Sequence, residues 1–162
     1  MLTGVMSGAL QRVTSEYVET EDRLRLSGAL DEETTVVIWL TRRLLDRVVP
    51  HLVKWLGQQP EFISPIPPEP GDSTAPVLAR AEAQMWLVDR IDLSFGPVAI
   101  TLDFFGPPSA QCSLVLDPLT LRQWLEILLR QYRQGEWPVD AWGEYIKTSH
   151  HDAAATVSLT LH

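Results

Sequence analysis

The residues able to do chemistry are one cysteine, four histidines and a surplus of carboxylates over cations, 21 against 13. A thiol acts as a nucleophile only beside a base and in an electropositive setting. Cys112 instead falls in the alternating run 111–116, in phase with Leu114 and Leu116, where a free cysteine behaves as a small core residue. His51 stands in a helical stretch near Arg47 and Trp55, the wrong types for a ligand set or a proton relay. His150 and His151 precede Asp152, with His162 at the end of the chain. Adjacent residues point apart in regular structure, so this grouping suits adventitious metal better than a built site. Glu16, Glu19, Glu21, Asp22, Asp31, Glu32 and Glu33 lack the one-three-five spacing of a calcium loop and read as a solvated acidic surface. Asp103 alternates with Leu102 and Phe104 and reads as exposed. Gly-rich phosphate loops, CxxC, HExxH and GxSxG are all missing. The expectation is no catalytic residue, no cofactor and no metal site.

Three features have the chemistry of binding rather than of reaction. Arg43, Arg47 and Lys54 recur at i, i+4 and i+11, a positive stripe on the polar side of a helix. Solvated balance by nearby acids is the commoner role for such a stripe, and a phosphate or nucleic-acid contact is the sharper one. The segment FISPIPPEP carries overlapping PxxP spacing, Pro65/Pro68 and Pro67/Pro70, but is flanked by Glu61, Glu69 and Asp72, which favours a plain spacer. Trp137, Trp142 and Tyr145, with Ile146, crowd a short stretch. Tryptophan and tyrosine are the residues most enriched at interface hot spots. Closure of a small core is the competing role for them.

Composition limits the partners. A net charge of −8 argues against general affinity for nucleic acid or for an anionic membrane. No apolar run reaches the length of a spanning helix, and the first residues make a poor signal peptide. One cysteine excludes an internal disulfide, in keeping with a reducing cytoplasm. Arginine outnumbers lysine and asparagine is absent, a usage that looks like a GC-rich bacterial coding bias.

The elements that must position these residues come from periodicity. Strands are expected over 12–20, 22–30 and 34–40, then a helix capped by Thr41 with an apolar stripe from Leu44 to Leu56. Pro50 lies inside that helix and is expected to kink or split it. Residues 58–80 hold six of the twelve prolines and read as a linker. Strands follow over 85–95, 98–105 and 111–116, with Ile91, Leu93 and Phe95 sharing a face. Asp117-Pro118 opens a second helix with the stripe Leu121, Trp124, Leu125, Leu128, Leu129 and Tyr132. The tail 156–161 alternates and is a further candidate strand.

Sliding 23–56 over 99–132 without a gap, an offset of 76, matches strand with strand, helix with helix, and Thr41 with Asp117. Few aligned residues are identical, so convergent patterning competes with duplication. The fold class expected is α+β, within a single compact domain. Two βββα-like repeat units, about 12–57 and 84–134, pack around a pseudo-twofold axis, joined by the Pro-rich linker and followed by an aromatic segment and tail, 135–162. The function expected is non-catalytic protein–protein interaction or assembly, with a homodimer in the cytoplasm and Trp137, Trp142 and Tyr145 as contacts. A regulatory nucleic-acid-associated role through Arg43, Arg47 and Lys54 is the second reading. A small-ligand protein or enzyme with a pocket between the units is the third.

Overall fold

The structure, a computed structural model, describes residues 8–59, 76–80, 82–143 and 145–146. It is α+β, with two antiparallel-rich sheets and two long helices. The first sheet holds β1 (Arg12–Val18), β2 (Arg23–Ala29), β3 (Thr35–Leu40) and β4 (Gln84–Leu87) in that order. The second holds β5 (Arg90–Phe95), β6 (Ile100–Gly106) and β7 (Ala110–Leu116). Helix α1 (Arg42–Gly57) follows β3, and α2 (Pro118–Gln134) follows β7. A 3-10 turn, Asp140–Trp142, follows α2.

The pairing between sheets follows from two chain segments that each serve both. The run 85–95, expected as one strand, is divided between them: β4 pairs parallel with β3, and β5 pairs antiparallel with β6. At the division Val88 donates its N–H to the Trp39 carbonyl, and Asp89 donates to Phe105 on the other side. The segment 8–18 does the same. Leu10 donates to Ser113 of β7, Gln11 donates to Ala29 of β2, and β1 continues along β2. The two sheets are therefore joined twice, by two chain segments that each pass from one sheet to the other.

Alternation sets the core. Leu24, Leu26, Val36, Ile38 and Leu40 of the first sheet are fully covered, as are Ile100, Leu102 and Phe104 of the second. Cys112 lies among them on β7 and is buried, as its phase predicted. The helix stripes complete one continuous core with both sheets. Thr41 and Asp117 cap their helices in the expected way, each side chain accepting the backbone N–H three residues on.

Three expectations change. Helix α1 runs unbroken through Pro50. Pro50 is exposed, so the Asp46 carbonyl that it leaves without a helical donor lies on the outer side of the helix. Phe95, placed inward by its phase with Ile91 and Leu93, is 52% exposed at the end of β5. Asp103 is half-buried and accepts a 2.5 Å bond from Ser113 Oγ. The candidate strand at 156–161 and most of the linker lie outside the described residues.

The close approach of the two sheets leaves no room at Gly106. A Cβ there would sit 2.4 Å from Trp86 Cε3 and 2.8 Å from the Leu87 carbonyl oxygen. Gly106→Ala should therefore cost about 1–3 kcal/mol, the usual penalty for overpacking, read as a lower midpoint of thermal unfolding. Gly57→Ala, whose Cβ meets nothing within 4 Å, should leave that midpoint unchanged or raise it.

Candidate functional site

Trp137, Trp142 and Tyr145 lie together at the junction of the helices with β1. Trp137 and Trp142 are buried, 5% and 1% exposed. Tyr132 of α2 stands between them, edge-on to both, with ring centroids 5.0 and 5.3 Å away. Tyr17 of β1 meets Trp137 edge-on at 5.7 Å. Edge-to-face contact matches the positive rim of one ring to the negative face of the next. Four polar tips end on carboxylates: Tyr132 donates to Asp46 at 2.7 Å, Tyr145 to Glu126 at 2.6 Å, and Tyr17 and Trp137 both donate to Asp22, whereas the buried Trp142 Nε1 has no partner among the described residues.

These contacts move protonation in consistent directions. The hydrogen bonds from Trp137 and Tyr17 hold the Asp22 carboxyl below the usual carboxylate range. The same bond, with Asp22 accepting, pushes the Tyr17 phenol up to about 12. Burial first, and the bond to Asp46 second, push the Tyr132 phenol up as well. None of these groups is poised to exchange a proton near neutrality. Burial, aided by Asp103, likewise pushes the Cys112 thiol up to about 12, which leaves no thiolate for nucleophilic attack.

Arg43, Arg47 and Lys54 occupy one exposed side of α1. Four other arginines have carboxylate partners: Arg23 with Glu21, Arg25 with Glu16, Arg42 with Asp46 and Arg90 with Asp92. Among the described residues these three cations have none. His51 is exposed beside them.

A further surface lies on the outward side of β3 and β4. Parallel pairing sets Val37 beside Met85 and Trp39 beside Leu87. Their in-between neighbours Ile38 and Trp86 point to the core. Segment 76–80 crosses this face: Val77 donates its N–H to Thr14 Oγ1 and Arg80 donates to Thr35 Oγ1. Val77 is buried there, and so are Ser27 and Val37. Beyond this strap Met85 stays 61% exposed and Leu87 36%, with the half-buried Trp39 alongside. The Arg25 guanidinium lies 5.8 Å from the Trp39 ring centroid.

Met85 and Leu87 carried no signal in a single-phase reading of 84–95, which would have turned them inward with Ile91 and Leu93. The detectable sign is a change of phase. Trp86 and Val88 are buried, Asp89 and Arg90 are consecutive exposed residues, and burial resumes at Ile91.

A shallow, open depression of about 420 Å³ surrounds the β6–β7 turn, lined by Asp89, Arg90, Phe105 and residues 106–111. Arg90 stacks on Phe105 at 4.1 Å within it and also meets Asp92. No group of three or more His, Cys, Asp or Glu residues suited to a metal ion occurs among the described residues. No described helix is long and apolar enough to cross a membrane. No protein-family model, curated protein or solved structure matches the chain.

Two results should follow from the aromatic cluster. Trp142→Ala should cost about 3–5 kcal/mol in a thermal or denaturant melt, the range for a large buried aromatic, without changing the mass of the folded fraction by light scattering. Asp22 has a folded pKa below its unfolded value, so its contribution is complete above about pH 4 and is lost as pH falls through the lower folded value. Asp22→Asn should flatten the acid limb of the stability profile.

Proposed function

We propose that this chain is a non-catalytic, cytoplasmic interaction protein that assembles with itself through the outward face of β3 and β4. The observation that carries this reading is the exposure of Met85 and Leu87 beside Trp39 on one sheet face. Contiguous exposed apolar side chains cost solvation in an isolated molecule and mark contact surfaces in assembled ones. The aromatic segment is the weaker choice of surface, because Trp137 and Trp142 are spent inside the core.

We also propose that the two halves are repeats packed around a pseudo-twofold axis, and this bears on the contact face. Three registers support the repeat at the offset of 76. Leu24 faces Leu40 as Ile100 faces Leu116. Ala9 bridges Ser113 as Met85 pairs with Val37. Helix α1 packs on β5 of the other half as α2 packs on β1. The first hairpins differ. Val18 and Arg23 flank a four-residue turn, whereas Gly96 donates to Ala99 across two residues. On this scheme Met85 and Leu87 correspond to Ala9 and Gln11, so the architecture does not demand large apolar side chains there.

The test is the mass of the protein in solution. The unmodified chain should be a dimer by light scattering at about 0.5 M salt, where exposed ion pairs are screened and an apolar contact persists. Met85→Glu with Leu87→Glu should be a folded monomer with an unchanged melting midpoint at low concentration. A monomeric unmodified chain, or a dimer indifferent to both changes, would remove this face as the contact.

A further inference from the structure

The cationic stripe on α1 has no internal partner, and the fold explains why. Arg43, Arg47 and Lys54 span about 16 Å of helix at 1.5 Å per residue. The acidic turn 31–33 offers Asp31, Glu32 and Glu33, all exposed, and no ion pair to any of them occurs among the described residues. This turn precedes β3, whereas α1 leaves from the far end of β3. Six strand residues at about 3.3 Å each separate the two by roughly 20 Å. The helix does not turn back to close that distance. Trp55, near its C-terminus, donates its indole N–H to the Gly96 carbonyl at the end of β5, and α1 packs on β5 of the other sheet. One molecule therefore carries a cationic stripe and an acidic turn that lie apart, and the cation at the turn, Arg80, donates to the Glu32 carbonyl rather than to a carboxylate.

We propose that the α1 stripe of one copy docks on the acidic turn 31–33 of a second copy. The inference rests on the self-assembly reading but uses a different surface. Charge complementarity selects a second copy: its turn presents three acids against three cations, and it is always at hand. A nucleic-acid duplex suits the stripe less well. Three cations would release few counterions, and the net charge of −8 repels a polyanion at long range. The stripe and the turn are different patches, so the contact is head-to-tail and leaves a free stripe and a free turn at the ends. Dimers made by the β3–β4 face would then be linked into larger assemblies at low salt.

The turn's own geometry guides the variants. Asp31 Oδ1 accepts the backbone N–H groups of Glu33 and Thr34 and holds the turn, so it is left in place. The test compares the unmodified chain, Arg43→Glu/Arg47→Glu/Lys54→Glu, and Glu32→Lys/Glu33→Lys by light scattering at about 0.05 and 0.5 M salt. The unmodified chain should exceed the dimer mass at low salt and return to it at high salt. Each variant should remain a dimer at both. Larger assemblies should reappear when the two variants are mixed at low salt, because the reversed charges are complementary again. A dimer mass at every salt, or no recovery on mixing, would overturn the charge contact and leave the apolar face standing. Association at low salt with a monomer at high salt would keep the charge contact and sink the apolar face. A monomer throughout would remove both. Low-salt growth that requires an added DNA duplex would make nucleic acid the occupant and overturn the proposal.

Discussion

Val88 and Asp89 donate their backbone N–H groups to opposite neighbours, one to Trp39 in the first sheet and one to Phe105 in the second. Leu10 and Gln11 do the equivalent between Ser113 and Ala29. Every other feature depends on these crossings. The sheets, of four and three strands, each have an apolar face that must be covered to be stable. The two crossings hold the sheets together so that both sheets and both helices fill one core. The phase change at Asp89 and Arg90 belongs to the same crossing, and it turns Met85 and Leu87 outward.

The helices then secure both sheets. Gln131 of α2 gives its side-chain N–H to the Ser15 carbonyl of β1, and Trp124 donates to Ser15 Oγ. Trp55 of α1 serves the end of β5 through Gly96. The segment after α2 adds to this arrangement, with Trp137 reaching Asp22 in the β1–β2 turn, and Tyr132 of α2 itself reaches Asp46 in α1. Tyrosine and tryptophan fit this position because each has an apolar body to bury and one polar atom to satisfy. The same side chains that would make a strong interface are consumed in holding two helices and a strand together.

The local elements were legible in the sequence, because alternation, helical stripes and the caps Thr41 and Asp117 are written in neighbouring residues. The crossing was not. Met85, Leu87, Ile91, Leu93 and Phe95 share one parity, so 84–95 also fits a single alternating strand, and periodicity alone does not say when such a run changes neighbours. Pro50 misled for a similar reason: the cost of proline in a helix depends on whether the freed carbonyl is buried, which is a tertiary fact. Arg43, Arg47 and Lys54 were legible as a stripe, but their lack of carboxylate partners depends on where Asp31, Glu32 and Glu33 end up. Met85 and Leu87 escaped notice because an exposed methionine looks the same in sequence as a buried one.

The account's central claim is that the outward β3–β4 face, and not the aromatic segment, is the surface that meets another copy. Hydrogen–deuterium exchange measured at low and high protein concentration tests it residue by residue, because only amides covered by association gain protection as concentration rises. The account predicts concentration-dependent protection in peptides covering 36–40 and 84–88, with peptides covering 137–146 equally protected at both concentrations. Concentration-dependent protection confined to 137–146, with none in 84–88, would contradict it.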